Sequence, residues 1–127
     1  MLLEHFALHV ADPVAFSGWY QQHLGLRVVR HLPEPHQTHF LADARGAVIE
    51  IYRNPAAPVP DYGTMHPLVL HIAFQSLDAD ADRARLLAAG AVFVEAVLPP
   101  DGSKLLMLRD PWGLALQVCQ RARPLIS

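Results

Sequence analysis

The sequence lacks the features of disulfide-bonded, secreted and membrane-spanning proteins. It has a single cysteine, Cys119, which cannot form an internal disulfide and suits a reducing cytoplasm. Its longest run of apolar residues and glycine, residues 86–94, is far shorter than the roughly 18 residues of a membrane-spanning helix. The first residues show no basic region followed by a long apolar stretch, so no secretory signal is expected. We therefore predict a soluble, cytoplasmic protein.

An excess of charge of one sign is also missing. Ten Lys and Arg residues, of which only Lys104 is a lysine, oppose twelve Asp and Glu residues, and the net charge is −2 at pH 7. Neither sign forms a run, which excludes the basic surface typical of proteins that bind nucleic acid or anionic membranes. With 127 residues, 52% of them hydrophobic and 17% charged, the chain is long and apolar enough for one folded domain.

What the sequence does contain is an internal repeat. Residues 5–12 (HFALHVAD) match residues 71–78 (HIAFQSLD), an offset of 66 positions. Residues 43–50 (DARGAVIE) match residues 110–117 (DPWGLALQ), an offset of 67 positions. Self-similarity of this kind predicts two copies of one structural unit. We predict a single domain over 1–127 with two modules, 1–54 and 68–121, joined by a proline-rich loop at 55–67.

Each module changes from strand-like to helix-like spacing in the same way. Apolar residues alternate over 6–10, as in a strand with one packed face. Asp12 then has the position of a helix N-cap and Gly25 that of a helix stop, and Asp78 and Gly90 repeat both. Strands are predicted near 26–32, 37–42 and 47–53, and near 92–98, 104–109 and 114–120. The predicted fold class is α+β, with two tandem βαβββ modules.

Alternation along the strands places four polar side chains on one sheet surface. Glu50 and Gln117, in the last strand of each module, face away from the apolar side chains that cover the helix. His5 and His71 hold matching positions in the first strands. If the first and last strands are neighbours, pseudo-twofold pairing would bring the four together. Two imidazoles, a carboxylate and an amide oxygen can bind a divalent transition metal, and the first three alone would form a two-histidine-one-carboxylate triad.

Each of these residues also has a purely structural interpretation. A strand histidine can be a hydrogen-bonded core or surface residue, Glu50 can pair with an arginine, and Gln117 can bond to the backbone. His9 and Tyr52 share the cavity face, where they either contact substrate or fill space. Cys119 is interpreted as a small buried hydrophobic residue. The remaining histidines are interpreted as surface or loop residues: His23, His31, His36, His39 and His66.

Four short motifs carry a resemblance to a known family. Residues 19–26 (WYQQHLGL) look like an FY-x-x-x-LG-L helix end, and residues 48–51 (VIEI), 70–73 (LHIA) and 110–113 (DPWG) match further signatures. In this order they resemble the glyoxalase / bleomycin resistance / extradiol dioxygenase superfamily, also called vicinal oxygen chelate proteins. The resemblance covers nearly the whole chain. It implies an eight-stranded mixed sheet that curls into a cup around one metal, one helix per module on the outside, and a homodimer.

The resemblance also implies roles for individual residues. The four metal positions of glyoxalase I fall on His5, Glu50, His71 and Gln117. Gln117 stands where that enzyme ordinarily has a glutamate that is both ligand and base, and because an amide cannot take up a proton, Glu50 is the implied catalytic base. Asn54 matches an asparagine that contacts glutathione, whereas His9 stands where an arginine often binds the same ligand. We expect His9, Tyr52 and Asn54 to contact substrate.

Three functions are compatible with these residues. The first is a lyase or isomerase like lactoylglutathione lyase, in which a divalent metal stabilises the enediolate of a small oxygen-chelating substrate. The second is an extradiol-type ring-cleaving dioxygenase that uses His5, His71 and Glu50 as iron ligands. The third is a metal-free drug- or metabolite-binding protein of the bleomycin-resistance kind. The partner is a small molecule in each case, and the metal could be nickel, zinc, cobalt, manganese or iron.

Overall fold

The computed structural model describes residues 1–126, which form two compact units, residues 1–60 and the residues from Asp61 onward. The first unit contains β1 (Phe6–His9), α1 (Pro13–Leu24), β2 (Arg27–Leu32), β3 (Thr38–Ala42) and β4 (Val48–Tyr52). The second contains β5 (Ile72–Gln75), α2 (Ala79–Ala88), β6 (Val92–Val97), β7 (Lys104–Arg109) and β8 (Ala115–Gln120). The predicted pair of βαβββ modules is confirmed.

Each unit has its own four-stranded mixed sheet. The strand order is β1-β4-β3-β2 in the first and β5-β8-β7-β6 in the second. In both, the first strand pairs in parallel with the last, and the other pairs are antiparallel. The eight strands are therefore hydrogen-bonded as two sheets of four, because every ladder in the described residues joins strands of one module. The cup stays a prediction.

Helix α1 begins and ends where its capping residues predict. The Asp12 carboxylate accepts a hydrogen bond from the backbone N–H of Ala15 at 3.1 Å, and Gly25 ends the helix in the left-handed conformation with φ 70°. The rings of Phe16 and Tyr20 stack with centroids 4.4 Å apart, and both are fully buried. They form the core of the unit with the buried strand residues Leu8, Leu41 and Ile51.

Helix α2 has the same kind of N-terminus with an additional cap. The Asp78 carboxylate accepts from the N–H of Ala81 at 3.0 Å, and the side-chain oxygen of Gln120 accepts from the N–H of Ala79 at 2.8 Å. The helix ends at Ala88. The predicted stop residue Gly90 follows two positions later, in the left-handed region with φ 106°. The buried Leu86 of the helix forms the core of the unit with the buried strand residues Leu106, Leu108, Leu116 and Val118. Neither α-helix among residues 1–126 is long and apolar enough to cross a membrane.

The two hairpin turns before the last strands are also repeated in detail. Each aspartate accepts backbone N–H groups two and four positions ahead, at 2.8 and 2.9 Å for Asp43 and at 2.9 and 3.0 Å for Asp110. Gly46 and Gly113 close the turns with φ 95° and 89°. Only glycine adopts such angles without strain, so the shared D-x-x-G pattern fixes one turn geometry in both units.

The proline-rich segment is more ordered at its end than a plain loop. A short 3₁₀ turn spans Tyr62–Thr64, and the Tyr62 side chain is buried. The Arg109 guanidinium donates hydrogen bonds to the carbonyl oxygens of Tyr62 at 3.0 Å, Met65 at 3.0 Å and Gly113 at 2.8 Å. These hydrogen bonds therefore connect the segment to the end of β7. The composition of the segment does not predict them.

Candidate metal centre and ligand site

His5 and Glu50 meet on one face of the first sheet. The parallel pairing of β1 with β4 sets Ala7 opposite Glu50, and His5 lies just before β1. His5 Nε2 is 3.0 Å from Glu50 Oε2, so the partner of this carboxylate is a histidine rather than the arginine of the structural alternative. The Phe40 ring packs edge-on against the His5 ring with centroids 5.8 Å apart. The predicted proximity of the two residues is thus present within one unit.

The electrostatics of His5 come from two carboxylates. Its Nδ1 contacts the Glu4 carboxylate, and this hydrogen bond is the main cause of a raised pKa for His5, with a further contribution from Glu50. A carboxylate on one ring nitrogen is also the usual arrangement of a metal-binding histidine, because it orients the ring and increases the basicity of the other nitrogen. His5 Nε2 and Glu50 Oε2 are the atoms that could share an ion.

His71 occupies the equivalent position in the second unit, just before β5. Its Nδ1 lies 2.9 Å from the carbonyl oxygen of Pro67. A carbonyl only accepts, so Nδ1 carries the hydrogen and Nε2 keeps the lone pair that a metal requires. The orientation and tautomer of this side chain therefore fit a metal ligand.

Gln117 repeats the register of Glu50. It lies opposite Ala73 in the β5–β8 pair, as Glu50 lies opposite Ala7. The Cys119 thiol donates to its side-chain oxygen at 3.2 Å, and burial raises the pKa of that thiol. Cys119 is buried, as predicted, and the neutral thiol is a weak donor that leaves the amide oxygen capacity for a second partner.

The two imidazoles, the carboxylate and the amide oxygen of the predicted ligand set are donor types that bind divalent transition metals. In the described residues, 1–126, no group of three or more His, Cys, Asp or Glu side chains could hold an ion. The structure brings together His5 and Glu50, and it places His71 and Gln117 at equivalent positions of the other unit. The complete ligand set stays a prediction.

The three residues predicted to contact substrate also lie together. The rings of His9 and Tyr52, opposite each other in the β1–β4 pair, stack with centroids 5.2 Å apart and planes 11° apart. His9 Nε2 accepts the backbone N–H of Asn54 at 2.9 Å. The Asn54 side-chain oxygen accepts from the N–H of Ala56 at 2.9 Å. The result is a flat aromatic surface two positions along the strands from Ala7 and Glu50.

The interpretation of His39 as a surface or loop residue is wrong. Its side chain lies in β3 and is only 7% exposed. The cause is alternation, since His39 shares a face with Leu41, which is fully buried. The same alternation could have identified it from the sequence. The ring of His39 stacks on that of His31 in β2, with centroids 4.2 Å apart and planes 28° apart.

The sequence matches the family model of the Glyoxalase/Bleomycin resistance protein/Dioxygenase superfamily over residues 2–118. The chain belongs to this superfamily. No curated protein matches the chain.

Several solved structures have the same fold as this chain. It is similar to SMU.1112c, with 26% identity and a TM-score of 0.74 over 94% of this chain and 98% of that one. It also resembles lactoylglutathione lyase from Agrobacterium tumefaciens (23% identity, TM-score 0.69, covering 95% and 94%). A third similar structure is TnmS3, an antibiotic binding protein from Streptomyces sp. CB03234 (20% identity, TM-score 0.71, covering 94% and 95%).

Proposed function

We propose that this glyoxalase-superfamily protein is a divalent-metal-dependent lyase or isomerase, similar to lactoylglutathione lyase, that acts on a small oxygen-chelating substrate. The observation that carries the proposal is the Glu50 carboxylate held 3.0 Å from His5 Nε2. The proposed ligands are His5, Glu50, His71 and Gln117. When bound, the metal would act as a Lewis acid on two substrate oxygens and stabilise the negative charge of an enediolate.

Glu50 is the proposed catalytic base. Its side chain is 22% exposed, so a substrate can reach it while part of its hydration is removed. A carboxylate can accept a proton from one substrate carbon and return it to the next, whereas the amide of Gln117 has no basic atom for this step. The proton transfer therefore depends on one residue of the repeat and not on both.

The substrate contacts and the assembly extend the proposal. We propose that His9, Tyr52 and Asn54 bind the substrate, because the stacked rings form an aromatic pair two positions along the strands from Glu50. We also propose that the protein is a homodimer. Sedimentation at micromolar concentration tests this assembly, and a monomeric profile would refute it.

A second candidate function is metal-free binding of a drug or metabolite. The stacked rings of His9 and Tyr52 favour it, since aromatic surfaces bind planar ligands without any metal. The similar protein TnmS3 is an antibiotic binding protein. In this case Glu50 and His5 would form a polar pair in the wall of the ligand site and would not carry out chemistry.

The metal content of protein purified without an affinity tag separates these functions. Plasma mass spectrometry should find nickel, zinc, cobalt or manganese, and His5→Ala and His71→Ala should each contain about one ion per chain less than the unaltered protein. His23→Gln is the control that removes a histidine outside the proposed ligand set. Iron, together with oxygen uptake on catechols, would instead identify a dioxygenase. Equal metal content in the unaltered protein and in both variants after reloading would refute the lyase and favour the binding protein.

A further inference from the structure

We propose that His31 and His39 form a separate binding site for a divalent transition metal such as zinc, on the opposite face of the first sheet from Glu50. The two residues are direct cross-strand partners in the β2–β3 pair, and their ring centroids are 4.2 Å apart. Two imidazoles on one ion at about 2.0–2.1 Å each require their nitrogens to approach to roughly 3 Å. We infer that the His31 ring, which is exposed to solvent, rotates to make that approach.

The tautomer of His39 suits a ligand. Its Nδ1 lies 2.7 Å from the carbonyl oxygen of Gln37, which can only accept, so the hydrogen is on Nδ1 and the lone pair is on Nε2. A backbone carbonyl on the second ring nitrogen is the usual outer partner of a metal-bound histidine. The side chain is also fixed by burial, because it is 7% exposed, so little conformational freedom would be lost on binding.

The surroundings favour a neutral His39 and leave His31 exposed to solvent. Burial is the main cause of a lowered pKa for His39; the hydrogen bond to Gln37 opposes this shift and the proximity of His31 adds to it, so the net effect favours the neutral, metal-binding form of this imidazole. His39 lies in a row with Leu8 and Ile51 across the sheet, both buried and apolar. His31, at the outer end of that row, is exposed to solvent. Two neutral nitrogens favour a borderline ion such as zinc or copper over calcium or magnesium, which prefer oxygen ligands.

The site is independent of the proposed function. On β3, His39 alternates with Phe40, which contacts His5 on the other face. An ion at His31 and His39 would therefore be separated from His5 and Glu50 by the sheet itself. It would join the edge strand β2 to its neighbour, and β2 is a strand whose side chains are all exposed.

Calorimetric titration with zinc ions alone tests the site. The His5→Ala/His71→Ala double variant removes two proposed ligands of the other centre and should still bind one zinc ion per chain. Adding His31→Gln should weaken that binding by about tenfold or more, since even loss of an outer partner of a metal ligand costs about 10–100-fold. His23→Gln in the same background removes a histidine elsewhere and should leave the affinity unchanged. Zinc binding that is absent from the double variant, or unchanged by His31→Gln, would overturn the proposal.

A measurement on the unaltered protein covers the case in which the double variant does not fold. Zinc titration followed by NMR of the histidine ring signals should shift those of His31 and His39 together, in a step separate from any shift of His5 and His71. The signal of His23 should stay in place. If zinc leaves the His31 and His39 signals unchanged while it shifts others, the pair is a packing contact only. These outcomes for His31 and His39 do not depend on whether the protein is a lyase.

Discussion

The two modules share their helix caps and hairpin turns but differ in the side chains on one sheet face. Both helices begin at an aspartate cap, and both last hairpins are closed by an aspartate and a glycine with matching hydrogen bonds. At equivalent strand positions, however, Glu50 and Tyr52 in the first unit correspond to Gln117 and Cys119 in the second. Residues that determine the backbone are repeated, and so are the proposed ligands His5 and His71, whereas the proposed base and the aromatic residue two positions after it are not. The chemistry of the protein is therefore expected to be asymmetric.

A second difference lies at the end of the third strand of each module. Arg109 precedes the Asp110 turn, and Ala42 precedes the equivalent Asp43 turn. Only the arginine has hydrogen-bond donors that reach carbonyl oxygens of another segment, and it holds the turn at Tyr62–Thr64. The second unit thus includes an ordered part of the connecting segment, which adds contacts that a strict copy of the first unit would lack.

Making the two modules alike at the proposed base should have the largest effect. Glu50→Gln gives the first module the amide of the second, and turnover should fall by at least about 10²–10⁴-fold because the base is lost. The fold should be retained, as measured by circular dichroism. Activity is measured on a panel of thiol adducts of 2-oxoaldehydes, with the metal content determined in parallel. The reciprocal variant Gln117→Glu keeps the base and should stay active. Full activity of Glu50→Gln would remove Glu50 from the proposed role.

The two hairpin glycines give a matched test of packing. Gly46→Ala meets open space and should cost about 1–2 kcal/mol, the strain of an L-residue at positive φ. At Gly113 an added Cβ would lie 2.6 Å from Cα of Gly63, so overpacking of about 1–3 kcal/mol is added to the same strain. Gly113→Ala should therefore destabilise by about 2–5 kcal/mol in equilibrium denaturation. Equal losses from the two variants would show that the turn at 62–64 moves away at little cost.

The anchoring arginine tests whether the second unit depends on its extra segment. Arg109→Met keeps most of the length of the side chain but removes the donors to three carbonyl oxygens, and should cost about 2–3 kcal/mol. Hydrogen exchange should increase locally at residues 62–65. Arg45→Met, in the hairpin of the first unit, is the control, because that arginine is exposed and should change stability little. Unchanged exchange at 62–65 in Arg109→Met would contradict the anchoring role.

Most of the fold could be predicted from the sequence because its determinants are local. Asp12 and Asp78 act through hydrogen bonds to N–H groups three positions ahead, and the D-x-x-G turns close within five residues, so short motifs contain the necessary information. The internal repeat then doubled the evidence for each element. Strand alternation was equally informative for Glu50, whose proximity to His5 follows from parallel pairing of the first and last strands.

The remaining features depend on contacts between distant positions. Arg109 bonds to Tyr62, 47 positions earlier, and nothing in the composition of the proline-rich segment indicates a partner. The residue type of His39 suggests exposure, because histidine is more often exposed than leucine, but its position on the same strand face as Leu41 buries it. The sequence also does not predict that the eight strands form two sheets of four. That division depends on which edge strands pair with each other, and the residue patterns of the edge strands β2 and β6 do not indicate their pairing.

The helix caps provide the finest comparison of the two units. Asp12→Ala and Asp78→Ala should each cost about 1 kcal/mol, since each removes one acceptor for an N–H group in the first turn. The loss at Asp78 should be the smaller, because the Gln120 side chain continues to accept from the N–H of Ala79 and holds the start of α2 on the second sheet. Thermal unfolding of both variants, beside Gln120→Ala and Asp78→Ala/Gln120→Ala, measures the coupling. If the double variant loses more than the sum of the single ones, the two caps compensate for each other, whereas strict additivity would mean that Asp78 and Gln120 act independently at the start of α2.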